Sequence, residues 1–305
     1  MDAPRSGLSH GGVGDVGLDG RVTAADWTSL AGGVRLVATD LDGTLLRRDG
    51  SVSGFTVETF ARARDAGLPV VFVTGRPPRW LPTVAEATGH SGVAIGANGA
   101  VVMDLATGVL LDAHPIAPET LDEVVRSLRA ELPTIGFAAE WVTETGESGT
   151  DFGHEHAFVP RYDVGDAARD HDVRDLTSGR RVVKLLARVL GTGHDADSFL
   201  DHALEHVAHL VTVTHSNADD VLLEMSAAGV TKGTSLAAYA DGLGIPAADV
   251  AAAGDMPNDV PMLTWARVGL AVEGAHPSVL DAADAVLPDP DDDGVARFVA
   301  AVLDA

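Results

Sequence analysis

Cysteine is absent from the 305 residues of the chain, which excludes disulfide bonds, thiolate zinc sites and thiol nucleophiles together. Long apolar runs are also missing, since none reaches the roughly 18 residues that a membrane-spanning helix needs. The first 33 residues do not have the basic start and apolar stretch of a secretory signal. These absences together predict a cytoplasmic protein without a membrane partner.

Basic residues are scarce, because 21 lysines and arginines face 45 acidic residues and leave a net charge of −24. Such a surface repels nucleic acid and anionic membranes, so neither is an expected partner. It also repels phosphorylated substrates, so an enzyme acting on them needs a bound metal or a well-placed lysine. Only Lys184 and Lys232 are lysines, against nineteen arginines, which hints that arginine would not serve at those two positions.

Short apolar strands alternate with helical patterns after residues 1–33, which are rich in Gly, Asp and Ser and predict a flexible tail. The alternation predicts right-handed βαβ units and a doubly wound parallel-sheet (Rossmann-like) α/β core. The same rhythm returns over residues 227–305. In the first core stretch, residues 34–99, the predicted elements are strands Val34–Thr39, Pro69–Val73 and Val93–Ile95 and helices Phe55–Ala66 and Pro78–Thr88.

Residues 100–226 have a different pattern, in which hairpin signals and amphipathic helices are mixed. A hairpin is predicted from Ala100–Met103 and Val109–Ala113, Pro118 opens a helix, and an apolar strand is predicted at Val221–Met225. Residues 143–181 are polar and weakly periodic, and they predict no element clearly. This stretch therefore predicts an α+β cap domain inserted between the two parts of the core.

Four short polar segments follow predicted core strands or begin a helix, and the carboxyl ends of parallel strands meet at one edge of a sheet. The first segment begins with Asp40-Leu-Asp42-Gly43 after the first strand. One of its carboxylates can ligate a metal and attack a substrate, while the other can handle a proton. Thr74 and Gly75 follow the second strand, where a hydroxyl and backbone N–H groups can hold phosphate oxygens.

The other two segments lie late in the chain. Lys232 stands at the predicted start of a helix, where it can neutralise a carboxylate and a phosphoryl oxygen together. Asp255 follows a strand and can supply a second carboxylate to Mg²⁺, which prefers oxygen ligands. Asn258 can donate to phosphate, and Asp259 can cap the next helix or hold a water of the metal.

In this order the four segments resemble the signature motifs of the haloacid dehalogenase-like phosphohydrolases. The insert, and Asn98-Gly99-Ala100 before it, resemble the Cof-type, type IIB branch. The resemblance implies that Asp40 is the nucleophile and a Mg²⁺ ligand. It also implies that Asp42 protonates the leaving oxygen, later activates water and lends its backbone carbonyl to the metal. The remaining implied roles are phosphate binding by Thr74, Gly75, Lys232 and Asn258, and metal binding by Asp255 with support from Asp259.

The implied function is Mg²⁺-dependent hydrolysis of a phosphomonoester through an aspartyl-phosphate intermediate. We expect a small phosphorylated metabolite as substrate, with sugar phosphates first and nucleotide or cofactor phosphates as alternatives. A phosphomutase using the same aspartate pair is the main rival, and a non-catalytic phosphate- or metal-binding regulator is a second one. Complete motifs favour an enzyme, and an aspartate at position 42 favours rapid hydrolysis or transfer.

Several residues of the predicted cap are weaker candidates. His202, His206 and His209 share one side of a predicted helix, opposite Leu200, Leu204 and Val207. We expect that side to be a solvated face rather than a metal face. Lys184 lies in an apolar strand and is a candidate for pointing at the active site. The remaining candidates for substrate contact are His154, His156, Arg161 and Trp141, of which Trp141 is expected to pack instead.

Overall fold

Two β-sheets organise the computed structural model, which describes residues 27–143, 150–161, 164–165, 167–191 and 193–305. The strands, numbered in chain order, are β1 Leu36–Thr39, β2 Val70–Val73, β3 Val93–Gly96, β4 Val101–Asp104, β5 Leu110–Ala113, β6 Gly136–Val142, β7 Thr150–Glu155, β8 Ala168–Asp170, β9 Arg181–Arg188, β10 Val211–Thr214, β11 Leu222–Ala227, β12 Val250–Gly254, β13 Val268–Val272 and β14 Ala285–Leu287. The helices are α1 Trp27–Ala31, α2 Gly54–Asp65, α3 Leu81–Thr88, α4 Pro118–Glu131, α5 Val173–Thr177, α6 Ala196–Val207, α7 Lys232–Gly242, α8 Val260–Trp265, α9 Pro277–Ala282 and α10 Gly294–Asp304. No helix among these residues is long and apolar enough to cross a membrane.

The first sheet has eight strands in the order β14-β13-β12-β1-β2-β3-β4-β5. The six strands from β14 to β3 pair in parallel, as the alternating pattern predicted. All residues of β1 and β12 at its centre are buried, which requires cover on both faces of the sheet and explains their continuous apolar sequences. The predicted α/β core with a parallel sheet is thereby confirmed.

The predicted hairpin forms, but it extends the first sheet. A short 3-10 turn at Ala97–Gly99 returns the chain beside β3, so β4 pairs antiparallel with β3, and β5 pairs antiparallel with β4. Because of this pairing, the hairpin belongs to the sheet of the core, although it was predicted as part of the insert, residues 100–226. Sequence patterns show that a hairpin forms but do not show which strand it joins.

The second sheet has six strands in the order β10-β11-β9-β6-β7-β8 and is antiparallel except for the β7–β8 pair. Helices α4 and α6 pack on it through an apolar cluster that includes Leu121, Leu128, Phe199 and Leu185. β7, β8 and α5 lie in the stretch 143–181, where the mixed polar sequence predicted no clear element. Residues 144–149 of that stretch lie outside the described residues.

The N-terminal prediction needs one correction. Helix α1 packs beside α10, and its last residue, Ala31, is buried. Arg267 donates to the carbonyl oxygen of Gly32 at 2.7 Å. Residues 27–33 are therefore attached to the core and do not belong to the predicted flexible tail, because burying Ala31 ties them down. The rest of that prediction, residues 1–26, lies outside the described residues.

Candidate active site

Asp40 and Asp255 leave the first sheet at neighbouring positions. β1 and β12 pair in parallel with Thr39 opposite Ala253, so the residues just beyond the two strands lie side by side. The backbone N–H of Asp40 donates to the carbonyl oxygen of Ala253 at 3.0 Å. Two buried apolar strands therefore deliver two carboxylates to one edge of the sheet, as the topology predicts.

Lys232 supplies the positive charge of this edge. It is the first residue of α7, and the hydroxyl of the N-cap residue Thr231 accepts from the Thr234 N–H. The Lys232 ammonium donates to Asp40 Oδ1 at 2.8 Å and to Asp259 Oδ1 at 2.6 Å. Burial works against the charged form, but the two carboxylates outweigh it and raise the pKa of Lys232. The side chain is therefore a permanently charged, fully buried cation.

Asp259 holds the turn after β12 together. Its Oδ1 accepts from Lys232, and its Oδ2 accepts from the backbone N–H groups of Asp255 and Met256 at 3.0 Å each. Gly254 is required next to it, because a Cβ at that position would lie 2.4 Å from the Cβ of Asp259. Both carboxylate oxygens are engaged, so Asp259 orients the lysine and the backbone of Asp255.

Three carboxylates converge here, since oxygens of Asp40, Asp255 and Asp259 lie within 4.8 Å of one another. Burial raises the pKa of Asp40 well above its usual value; Lys232 opposes this, and the neighbouring aspartates reinforce it. Burial, followed by the charge of Asp259, raises the pKa of Asp255 to about 7. One ammonium cannot neutralise three clustered carboxylates, of which Asp40 and Asp259 are buried and Asp255 is half-buried. This donor set therefore fits a divalent cation that prefers oxygen ligands, such as Mg²⁺.

The turn after β1 is shaped around Asp255. Gly43 has a φ of +79°, and a Cβ there would lie 2.3 Å from Asp255 Oδ2. The Thr44 hydroxyl donates to Asp255 Oδ1 at 2.8 Å. Glycine at position 43 and a hydroxyl at position 44 therefore fix the Asp255 carboxylate relative to the residues that follow β1.

Asp42 is not among the three converging carboxylates. Its side chain is 58% exposed and forms a two-pronged ion pair with Arg76, whose Nε donates to Asp42 Oδ2 at 2.6 Å. Arg76 was not among the predicted site residues, although it directly follows Gly75. The structure shows that it holds the Asp42 carboxylate at the open side of the site.

A cavity of about 680 Å³ opens beside these acids. Asp42 and Asp255 line one part of it, Arg47 and Arg48 line another, and Asp219 reaches it from the loop between β10 and β11. A ligand in the cavity therefore meets residues from both sheets. The volume suits a small metabolite rather than a polymer.

Thr74 and Gly75 form the turn after β2, the strand beside β1. Thr74 is buried, and its hydroxyl accepts from the backbone N–H of Arg76 at 3.1 Å. The carbonyl oxygen of Gly75 accepts from the ammonium of Lys184 at 2.8 Å. A Cβ on Gly75 would lie 3.1 Å from Asn98 Oδ1, so the absence of a side chain lets this turn fit beneath the second sheet.

A buried polar chain runs from the core to the second sheet. Asn258 Nδ2 donates to Asn98 Oδ1 at 3.0 Å, and Asn98 Nδ2 donates to Glu224 Oε2 at 2.5 Å. Glu224 Oε1 pairs in turn with Lys184 at 2.8 Å. Asn98 has a left-handed φ of +59°, which asparagine tolerates better than most residues. Glu224 was missed from the sequence, although an acid inside the predicted apolar strand Val221–Met225 was a usable signal.

Arg79 and Glu140 form a second contact between the sheets. Arg79, which follows β2, donates to the buried carboxylate of Glu140 on β6. Burial raises the pKa of Glu140, while Arg79 and then Lys184 oppose that effect. Neither Arg79 nor Glu140 was predicted, because no motif marks them and only the packing of the second sheet on the core pairs them.

The other cap candidates have structural explanations. Trp141 is buried beneath Arg180, whose guanidinium lies 4.1 Å from the ring centroid, as expected of a packing residue. His154 and His156 each bond through Nδ1 to a backbone carbonyl oxygen. Arg161 lies 3.9 Å from a carboxylate oxygen of Asp220. Lys184 is the candidate that reaches the core.

The predicted solvated face of α6 is wrong for two of its three histidines. His209 is exposed, but His202 and His206 are half-buried. The prediction placed the histidines opposite Leu200, Leu204 and Val207, whereas the buried stripe consists of Ala196, Phe199, Ala203 and Val207. This small rotation of the helix turns the two histidines toward α4.

Known proteins match almost the whole chain. The sequence model of the haloacid dehalogenase-like hydrolase family matches residues 37–299. The pyridoxal phosphate phosphatase YbhA of Escherichia coli strain K12 is 26% identical over 269 residues, which cover 87% of this chain and 97% of that protein. The HMP-PP phosphatase of Enterobacter sp. strain 638 is 29% identical over 250 residues, which cover 81% and 86% respectively. A solved haloacid dehalogenase-like hydrolase from B. subtilis has the same fold, with a TM-score of 0.72 and 24% identity over 88% of this chain and 99% of that one.

The chain therefore belongs to the haloacid dehalogenase-like hydrolases. The match confirms the family predicted from the four motifs, and both named relatives are phosphatases.

Proposed function

We propose that this phosphatase hydrolyses phosphomonoesters of small metabolites with Mg²⁺, through an aspartyl phosphate formed on Asp40. The observation that carries the proposal is the setting of Asp40 at the end of a central strand. One oxygen of Asp40 accepts a hydrogen bond from the Lys232 ammonium, and the carboxylate of Asp255 lies beside that of Asp40. The arrangement suits a carboxylate nucleophile with a fixed cation and a metal ligand next to it.

In the proposed first step Asp40 Oδ2 attacks phosphorus, because Lys232 already occupies Oδ1. A bond forms between Oδ2 and phosphorus while the ester P–O bond breaks, and the leaving oxygen takes a proton from Asp42. In the second step water attacks phosphorus, gives a proton to Asp42 and displaces Asp40. Asp42 suits both proton transfers because it is exposed at the open side of the site, where Arg76 orients it.

The carboxylates of Asp40 and Asp255 and the backbone carbonyl of Asp42 would hold the Mg²⁺ ion. When bound, the ion neutralises charge on the phosphoryl oxygens and lets a dianion approach a carboxylate nucleophile. Asp259 supports this site through its bonds to Lys232 and to the backbone of Asp255.

We place the phosphoryl group among Thr74, Gly75, Lys232 and Asn258. Thr74 and Gly75 offer a hydroxyl and a backbone N–H from the turn after β2. Asn258 is held by Asn98 through one hydrogen of its amide, which leaves the other hydrogen for a phosphoryl oxygen. Lys232 balances the charge that spreads over these oxygens during transfer.

We propose that the second sheet and its helices act as a cap that closes over this site and selects the substrate. Glu140, Lys184 and Glu224 contact core residues from β6, β9 and β11, and we propose that they also contact the bound metabolite. The relatives named above act, by their names, on chemically different phosphates. We therefore assign the choice of substrate to these cap residues and place a sugar phosphate first among small phosphorylated metabolites.

A phosphomutase would use the same two aspartates but return the phosphoryl group to a sugar. Its signature is dependence on a bisphosphorylated sugar activator. The named relatives are phosphatases, which supports hydrolysis.

A phosphate-release screen over sugar, nucleotide and cofactor phosphates, with and without Mg²⁺, tests the proposal. We expect release from at least one substrate, and a loss of at least about 1,000-fold in kcat for Asp40→Asn. Asp65→Asn, which changes an exposed aspartate at the end of α2, is the matched control and retains wild-type turnover. Circular dichroism checks that both variants are folded. Undiminished turnover in Asp40→Asn contradicts the proposed nucleophile.

A further inference from the structure

Three potential metal ligands meet on the helices of the second sheet. His202 and His206 lie one turn apart on α6, and Glu131 is the last residue of the neighbouring helix α4. One ligand atom from each lies within 4.8 Å of the other two, so a single ion can contact all three. The ring of His194 lies 5.6 Å from that of His202, at the edge of the same group.

The Nε2 atom of His202 is the atom of this group that most needs a polar partner. It is buried, and it has no hydrogen-bond partner within the described residues. A buried polar atom without a partner is unfavourable, and proteins normally pair such atoms with a protein group, water or an ion. The His202 ring therefore has a nitrogen without a protein partner, and one of its ring nitrogens lies close to ligand atoms of Glu131 and His206.

A second group of similar spacing provides a useful contrast. Asp197, His215 and His276 also place one ligand atom each within 4.8 Å of the others. There, however, Asp197 Oδ1 lies 2.7 Å from His215 Nε2, and Asp197 Oδ2 lies 3.3 Å from His276 Nε2. Direct hydrogen bonds join the converging atoms of that group, although His215 Nδ1 is also buried without a partner among the described residues. No direct hydrogen bond of this kind engages His202 Nε2.

We propose that Glu131, His202 and His206 bind a zinc-like transition-metal cation. Imidazole and carboxylate ligands suit Zn²⁺ and its neighbours, whereas Mg²⁺ prefers oxygen ligands alone. Histidines at i and i+4 on one helix present their rings to the same point. Glu131 is exposed, so its side chain can rotate to bring a carboxylate oxygen to the ion that the two rings share.

The ion would join the end of α4 to the middle of α6, on the face of the second sheet that points away from the core. Leu185 of β9 packs in the same apolar cluster as these helices, while its neighbour Lys184 reaches the core turn. Successive strand residues point to opposite faces, so the sheet separates this site from Asp40. Its role is to fix the helices of the second sheet, and it takes no part in the phosphatase reaction.

The test is a zinc titration of the untagged full-length chain in excess Mg²⁺, by calorimetry and by metal content after dialysis. Four proteins are compared: wild type, Glu131→Gln, the double variant His202→Gln/His206→Gln, and His209→Gln as the matched control. His209 is exposed and lies just beyond the same helix. All four keep the active-site acids and the Asp197 group, so differences among them report on the proposed site.

We expect wild type and His209→Gln to bind one more equivalent of zinc than the double variant. Saturating zinc should raise Tm by about 5 °C in those two proteins and not in the double variant. Glu131→Gln, a change of equal size at an exposed position, should weaken zinc binding by about tenfold or more. If the double variant does not fold, this single variant provides the test. Equal zinc binding in wild type, Glu131→Gln and any folded double variant, or no zinc binding by wild type, overturns the proposal.

Discussion

The ammonium group of Lys184 lies 2.8 Å from the carbonyl oxygen of Gly75, which joins the second sheet to the turn after β2. The same ammonium pairs with Glu224 at 2.8 Å, and both side chains are almost completely buried. The other lysine, Lys232, is fully buried against Asp40. Both lysines of an arginine-rich chain therefore occupy buried positions at one site, where a compact ammonium fits and a planar guanidinium is too large.

The Lys184–Glu224 pair should matter for stability. Lys184→Met leaves the Glu224 carboxylate buried without its cation and should cost about 3 kcal/mol in the free energy of unfolding. The double variant Lys184→Met/Glu224→Gln should recover part of that loss, because it removes the unpaired charge. Arg62→Met, which breaks an exposed pair with Asp304, is the control and should cost less than about 1 kcal/mol. Urea unfolding measures all of these, and a Lys184→Met protein as stable as wild type contradicts the prediction.

Lys232 should resist replacement even by arginine. The distances of 2.8 Å and 2.6 Å to Asp40 and Asp259 leave room for an ammonium only. We expect Lys232→Arg and Lys232→Met to lower kcat/KM by about 100-fold or more, because both disturb the charge next to the nucleophile. Arg35→Lys at an exposed pair should leave kcat/KM unchanged. Wild-type kinetics in Lys232→Arg would show that a compact cation is not needed.

Asp42 should control the second half of the reaction. With a substrate that has a good leaving group, Asp42→Asn should still form the aspartyl phosphate but hydrolyse it slowly, because the base that activates water is missing. Acid quenching and intact-mass measurement should then detect a phosphorylated chain, which Asp40→Asn does not form. Arg76→Gln, which removes the ion pair with Asp42, should reduce kcat by about tenfold without trapping phosphate. Rapid hydrolysis in Asp42→Asn would assign the base to another residue.

Metal removal should stop turnover reversibly. EDTA should abolish phosphate release and added Mg²⁺ should restore it, because three clustered carboxylates face a single buried ammonium. Asp255→Asn should raise the Mg²⁺ concentration for half-maximal activity by about tenfold or more, since it removes one charged ligand. Asp65→Asn should not change it. Full activity in EDTA would exclude the proposed metal site.

His90 should make stability depend on pH. Its ring packs 4.4 Å from the ring of Phe72, and burial lowers its pKa from the ordinary 6.5 to about 4. Between these values the unfolded chain binds a proton that the folded chain does not, so this contribution to stability is lost as the pH falls from about 6.5 to 4. The free energy of unfolding of wild type should fall by roughly 3 kcal/mol more than that of His90→Gln over this range. If the free energy of unfolding changes equally with pH in the two proteins, the prediction is contradicted.

Much of the core could be predicted from the sequence, because its signals are local. A buried parallel strand is a continuous apolar run, and the acids that end β1 and β12 stand directly after such runs. Helix α6 was also predicted, but the side of the helix that is buried was not. As a result, two half-buried histidines were expected to be solvated. Its buried stripe depends on which side packs on the second sheet, which the helix sequence alone does not specify.

The sequence by itself determined the parallel core, the family and the acids Asp40 and Asp255, because strand burial and turn chemistry depend on neighbouring residues. Only the tertiary structure decided which side chains these residues pair with. Arg76 meets Asp42 across 34 residues, and Asn98 meets Glu224 across 126 residues. Such pairs depend on the order of strands in a sheet and on how one sheet packs against another. Those relations are set by the whole fold, so no local pattern contains them.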